Sequence, residues 1–212
     1  SHEYVTRECA RRMNIRYEDF NAISLHLGNG ASACCVRAGK SVDTSMGFTP
    51  LEGLVMGTRG GDLDPGVLLF LQKSENLSAD QIDTLLNKQS GLFGICGNAD
   101  MRHITERAAN GDAAAQLAIE IFCLRARKYL CAYLAWGKPH AVIFTGGIGE
   151  HAAPVRAQVC AQAAWLGIAF DPAANAADAP VITTASSRVT VAVVPTDEEG
   201  VIARHARRLT LG

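Results

Sequence analysis

Several short stretches of this sequence combine residue types that handle phosphate, carboxylate and divalent metal. In His26-Leu27-Gly28-Asn29-Gly30-Ala31-Ser32, the glycines let backbone N–H groups come close to a phosphate, and Asn29 can donate a side-chain hydrogen bond without adding charge. An ordinary tight hairpin is the competing reading, because Asn-Gly is the commonest short hairpin signal. Thr145-Gly146-Gly147-Ile148-Gly149-Glu150 follows an apolar run and precedes a helical one, so its amides make a place for a phosphate or the edge of a nucleotide. Read as Gly147-x-Gly149-x-x-Ala152, with Asp171 lying 22 residues past Gly149, it also fits the dinucleotide fingerprint and keeps a nicotinamide-dependent oxidoreductase open. That reading expects the loop after the first strand of a βαβ unit, whereas here it comes two-thirds through the chain.

Gly57-Thr58-Arg59-Gly60-Gly61-Asp62-Leu63-Asp64-Pro65 sets one guanidinium among glycines, which suits bidentate capture of a phosphate or carboxylate. The alternative is that Arg59 pairs with Asp62 or Asp64 and only holds the loop. Asp197-Glu198-Glu199 can hold Mg²⁺ through water, or can simply favour the dipole of a following helix. Two glycine loops, one Arg and one acidic pair in a single α/β domain favour nucleotide chemistry, because a triphosphate needs several donors and a metal.

The elements that would position these residues are legible in the apolar spacing. Val5, Cys9 and Met13 recur every four residues and predict a helix over 3–14. Strands are expected at 22–27, 31–36 and 41–44, with turns at 28–30 and 38–40, followed by a long glycine-rich loop over 45–66 where a site is expected. Asp64-Pro65 opens a helix to about Leu71, and Ser78-Ala79-Asp80-Gln81 has the form of a capping box for a helix to Lys88. From Asp112 to Trp136 apolar residues fall on nearly every face, which predicts a helix buried in the core or in an oligomer and stopped at Gly137. A strand at 141–144, a glycine turn, a helix over 150–165, a strand at 189–194 and a closing helix over 200–209 complete an α/β domain.

The 212 residues are 48% hydrophobic and 19% charged with a formal net charge of -1, enough for one substantial core and without the basic footprint of a nucleic-acid or anionic-membrane binder. The seven cysteines are odd in number, scattered and mostly embedded in apolar stretches, the pattern of buried free thiols. No CxxC pair or HExxH supports a zinc site. Apolar runs stay short of a membrane span and the start lacks a signal-peptide core, so a cytoplasmic protein is expected. Ser1-His2-Glu3-Tyr4 runs straight into a helical pattern without an initiator Met, and an upstream segment is expected.

At these same residues the chain resembles the acetate kinase family, within the larger actin, sugar kinase and Hsp70 superfamily. Val42 to Pro65 (VDTSMGFTPLEGLVMGTRGGDLDP) is similar to the family signature nearly residue for residue. Ser1-His2 with Tyr4-Val5 looks like the start of its C-terminal domain, His26 to Gly30 like its phosphate loop, Thr145 to Glu150 like its adenosine loop, and Pro195 to Glu199 like its metal-proximal turn. The resemblance implies an α/β, ribonuclease H-like, actin-type domain with a mixed sheet and a helical insert around residues 64–136. It implies residues 1–212 are the C-terminal, nucleotide-binding domain, with an N-terminal domain missing. ATP or ADP and Mg²⁺ would be the cofactors, acetate or propionate the acceptor, and an acyl phosphate the product. A homodimer through this domain is implied, with no nucleic acid and no membrane as partner. His2 would steady the phosphoryl group in transfer and Arg59 would contact it or the carboxylate. His26, Gly28, Asn29 and Gly30 would meet ATP phosphates; Asp100 and Arg102 would lie beside ribose and base. Gly146, Gly147, Ile148 and Gly149 would form the adenosine loop, and Glu198 would help hold Mg²⁺. A Hsp70-like ATP switch without chemistry of its own is the further alternative.

Overall fold

Strand β1 (Ala22–Leu27) alternates its side chains between two separate apolar clusters, and that alternation organises the molecule. Ile23, Leu25 and Leu27 belong to the larger cluster, whereas Ala22 joins a smaller one with Val5 and Cys9. Around β1 lie β2 (Ala31–Arg37), β3 (Lys40–Thr44), β4 (Ala141–Thr145) and β5 (Thr190–Val193) in the order β3-β2-β1-β4-β5. The first three strands are mutually antiparallel, and β4 and β5 run parallel to β1. This is the mixed sheet of an α/β, ribonuclease H-like, actin-type domain. The computed structural model describes residues 1–161, 163–197 and 200; Glu198 and nearly all of the expected closing helix lie outside them.

On the small-cluster face packs α1 (His2–Arg12), whose Val5, Cys9 and Ala10 meet Phe20, Ala141 and Ile143. Between β3 and β4 come α2 (Pro65–Ser74), α3 (Ala79–Lys88), α4 (Gly91–Cys96), α5 (Met101–Ala109) and α6 (Ala113–Ala132). Leu92, Met101, Ile104, Phe122 and Leu130 from α4, α5 and α6 fill the larger cluster with Phe144 and Val142. Side-chain caps start most of these helices: Asp64 accepts from Gly66 N, Ser78 and Gln81 form a reciprocal capping box, and Asp112 accepts from Ala114 N and Ala115 N. Each such cap replaces a partner the first helical turn lacks. The cysteines Cys9, Cys34, Cys35, Cys96, Cys123 and Cys160 are buried free thiols, and Cys131 is partly buried and free. Burial raises the Cys9, Cys123 and Cys160 thiols to about 12, so they are inert at neutral pH. Among the described residues no helix is long and apolar enough to cross a membrane.

Differences from the sequence expectations have local causes. The glycine segment after β4 is helical: α7 spans Gly146–His151. Gly146 makes the exit from the strand in one residue at φ +76, where a Cβ would lie 2.8 Å from the Leu27 carbonyl oxygen, a conformation suited to glycine alone. The long helix expected over 150–165 begins as the end of α7, breaks before α8 (Ala153–Cys160), because Pro154 has no N–H with which to continue α7, and is followed by a 3₁₀ turn (Ala163–Leu166). Asp171, the acid of the dinucleotide reading, caps α9 (Pro172–Ala176) by accepting from Ala173 N and Ala174 N. Within this chain α6 is also less covered than its composition suggested, since Leu117 and Leu124 are half exposed. Helix α2 has no buried residue at all, and its Leu69 and Phe70 face outward.

Candidate functional site

The β1–β2 hairpin turn at Gly28–Gly30 borders a cleft of about 780 Å³. One wall is Ala99 to Arg102 with Thr105, at the start of α5; the other is Gly147, Ile148 and His151 of α7, continued by Ala152 and Pro154. Gly28 and Asn29 stand at the cleft as well. The lining is mostly apolar with a few polar groups, the usual make-up of a small-molecule site. Asp100 caps α5 by accepting from Arg102 N at 2.9 Å and takes the Arg102 guanidinium at 2.7 Å. Those hydrogen bonds from Arg102 hold the Asp100 carboxyl down at about 2, so the pair enters the cleft rim ionised.

The same hairpin turn carries a second group of side chains. His26 is on β1, opposite Ser32 of β2, and the His2 ring of α1 lies 6.2 Å from the His26 ring. The period-two alternation that sends Leu25 and Leu27 to one face turns Ser24 and His26 to the face that α1 covers. His2 Nδ1 bonds the Ser24 hydroxyl at 2.7 Å and His2 Nε2 the Ser32 hydroxyl at 2.8 Å. Burial first, then the neighbouring His26 and the positive amino terminus, lowers the His2 pKa to about 4. The imidazole is therefore neutral near pH 7, with one ring N–H to donate. To reach a phosphoryl oxygen it must exchange one serine hydroxyl for it.

Arg59 comes to this turn from the long loop. Its Nη2 sits 3.5 Å from where a Cβ on Gly30 would be, and its Nη1 donates to the Pro50 carbonyl at 2.8 Å. Among the described residues it forms no ion pair with Asp62 or Asp64, and its tie to its own loop is the bond to Pro50. Asp64 caps α2. Asp62 accepts from Gly53 N at 2.8 Å, from the Tyr129 hydroxyl at 2.9 Å and from Arg125 at 3.2 Å, tying the loop to α6. Backbone bonds do the rest: Gly57 N donates to Asn29 O, Met56 N to Arg59 O, and Leu92 N and Phe93 N to Met56 O and Gly57 O. The loop is thus stitched to the hairpin turn on one side and to α4 on the other.

Of the residues expected at the site, Gly28, Asn29, Asp100, Arg102, Gly147 and Ile148 meet in the cleft, and His2, His26, Gly30 and Arg59 surround the adjoining turn. Two do neither. The Gly146 amide, expected to be available to a phosphate, already donates to Glu150 Oε1 at 3.0 Å, and Gly149 is packed near the Phe144 backbone; both shape α7 rather than face the cleft. Glu198 lies outside the described residues. The dinucleotide reading loses its acidic partner, because the Asp171 carboxylate is spent on capping α9. Ser24 and Ser32 were not singled out from sequence, although β1 and β2 alternation gives their face. Thr105 and Met101 were missed because α5 was not anticipated, despite Asp100 preceding Met101, Ile104 and Ala108 at helical spacing.

Comparison with known proteins places this arrangement. The profile of the Acetokinase family matches residues 1–204. The acetate kinase of Streptomyces coelicolor is 55% identical over 207 residues, covering 96% of this chain and 51% of that protein. The crystal structure of Porphyromonas gingivalis acetate kinase superimposes with a TM-score of 0.96 at 42% identity, over 99% of this chain and 54% of that one. A propionate kinase structure from Francisella tularensis gives a TM-score of 0.90 at 44% identity, over 94% of this chain and 51% of that one. The chain spans about half the length of the curated relatives it matches.

Proposed function

This chain belongs to the acetokinase family, and from that premise we propose that it is the C-terminal, nucleotide-binding half of an enzyme that moves the γ-phosphoryl of ATP to acetate or propionate, giving an acyl phosphate and ADP. The observation that carries the reading is the cleft between α5 and α7 opening onto the Gly28–Gly30 turn, with a neutral imidazole and a guanidinium next to that turn. Adenosine would lie between Ile148 and the Asp100–Thr105 wall, and its phosphates would run over Gly28, Asn29 and Gly30. Arg59 would balance charge on the phosphoryl group and the carboxylate, and His2 would donate one hydrogen bond to it; both act by position and electrostatics. The other side of the transferred group would be covered by a further domain, closing out water.

Mg²⁺ fits this donor set. It usually keeps several waters and takes one or two carboxylates together with substrate phosphates, so it needs no all-protein cage; none of three or more His, Cys, Asp or Glu side chains exists among the described residues. Glu198, which lies outside the described residues, is the proposed carboxylate on the strength of the family resemblance of Pro195 to Glu199. The ion would supply charge neutralisation on the β- and γ-phosphates. A cytoplasmic homodimer is part of the same proposal: Leu69 and Phe70 on α2 and Leu117 and Leu124 on α6 supply outward apolar surface of the kind a two-fold contact covers.

The test is acyl phosphate formation by the full-length protein with ATP, Mg²⁺ and acetate or propionate, trapped as the hydroxamate. Carboxylate-dependent hydroxamate is the expected result. ATP hydrolysis without acyl product, stimulated by peptide, would point to the Hsp70-like switch instead.

A further inference from the structure

We propose that Arg156 is a positioning residue that sets the adenosine side of the cleft by locking α7 to α9, an inference that rests on reading the cleft as a nucleotide site. Arg156 has no exposed surface, so its charge needs full hydrogen bonding to be tolerated. It has that. Nε donates to Asn175 Oδ1 at 2.8 Å; Nη1 donates to the Gly149 carbonyl at 3.0 Å and the Glu150 carbonyl at 2.6 Å; Nη2 donates to the Asn175 carbonyl at 2.8 Å and to the Asp178 carboxylate. These account for all five N–H donors of a guanidinium.

Helix α7 has only six residues, too few to persist on its own hydrogen bonds. Its position is therefore imposed at its ends. At the start, the Glu150 carboxylate takes Gly146 N and also Thr196 N at 3.1 Å. At the end, Arg156 takes the Gly149 and Glu150 carbonyls, which lie between the cleft residues Ile148 and His151. The receiving side is specialised too. Asn175 is buried and its Nδ2 donates to the Ala153 carbonyl at 2.9 Å, and Asp178 is held at φ +49, a left-handed conformation uncommon outside glycine, although Asp is among the residues that tolerate it best. Neither Asn175 nor Asp178 lines the cleft, so the network acts on ligand only through the wall it holds, α7 and the Ala152–Pro154 segment tied to Asn175 at the Ala153 carbonyl. A tie meant for cohesion alone is made as well or better by apolar side chains; a planar fork instead fixes two carbonyls at set positions.

The experiment uses the full-length enzyme and compares wild type with Arg156→Met, Arg156→Lys and Asp178→Asn. Calorimetry measures ADP, which needs the α5–α7 walls, and tripolyphosphate, which probes the phosphate turn alone. Expected for Arg156→Met is a loss of ADP affinity of about tenfold or more with tripolyphosphate affinity changed less than about threefold, since small misplacements of a positioning wall carry effects of this order. The KM for ATP should rise in step while kcat at saturating ATP changes less than about threefold. Arg156→Lys should fall between, because one ammonium cannot reproduce the fork. Asp178→Asn removes the charge of a half-exposed partner while its amide oxygen can still accept from Arg156, so it folds and should show the same split at about threefold even if Arg156→Met does not fold. Equal losses for both ligands, or ADP affinity unchanged in folded variants, overturn the positioning role. Failure of wild type to bind ADP would instead remove the nucleotide reading beneath it.

Discussion

His2 and Arg59 occupy opposite electrostatic regimes beside one turn, and each gives a separable test. With its folded pKa lowered from 6.5 to about 4, His2 stays neutral in the native state while the unfolded chain takes up a proton as pH falls below about 6.5. The stabilisation is thus fully present above the unfolded pKa and is lost as pH falls through the folded one, about 3 kcal/mol in total. Urea midpoints measured from pH 7 to pH 4 should fall more steeply for wild type than for His2→Gln; parallel curves would show that His2 is not buried neutral. Arg59 lies against Gly30, so Arg59→Ala should lower kcat by about 10²–10³ while ATP affinity stays within a few-fold. Collapse of ATP binding with turnover surviving would make it a nucleotide anchor instead. Sequence showed these two only as types in suggestive company. The Asp64 cap of α2 was visible in Asp64-Pro65, whereas the engagement of Asp62 with Arg125 and Tyr129 of α6 was not, because those partners lie more than 60 residues along the chain.

At the scale of elements, strong periodicity was legible and glycine-rich helices were not. The strand bounds of β1 could be read directly, since a run buried on both faces and closed by Gly-Asn-Gly has few alternatives; the Ser78 capping box was likewise visible as four letters. Helix α4 has only six residues, two of them glycine, and α7 starts from a glycine pair, so propensity argued against both and tertiary contacts decided. Gly91 shows what decides α4. At φ +62 its Cβ would lie 2.3 Å from the Met56 carbonyl and 2.6 Å from that of Arg59, so α4 starts in direct backbone contact with the loop that carries Arg59. Gly91→Ala should therefore destabilise the protein by about 2 kcal/mol or more and depress kcat by moving that loop. Chemical denaturation and turnover measured together check this, and a variant with wild-type stability would show the contact to be soft.

The whole molecule is an α/β sheet that brings residues 2, 26–30, 59, 100–105 and 147–154 to one end, and its insert leaves apolar surface uncovered on α2 and α6. If that surface is a two-fold contact, a Leu69→Glu, Phe70→Glu double variant should run as a monomer at micromolar concentration in analytical ultracentrifugation while wild type runs as a dimer; a monomeric wild type would contradict the assignment. The α/β character was legible from the alternation of strands and helices, and the ribonuclease H-like class only from the family resemblance. The outward apolar surface was only half legible, because α6 announced itself by composition whereas α2 read as an ordinary capped helix. The most direct test of the nucleotide site is the structure of the full-length protein with ADP and Mg²⁺. Adenosine is expected between Ile148 and the Asp100–Thr105 wall, with the phosphates over Gly28, Asn29 and Gly30 toward Arg59. A nucleotide bound elsewhere, with this cleft empty, would contradict it.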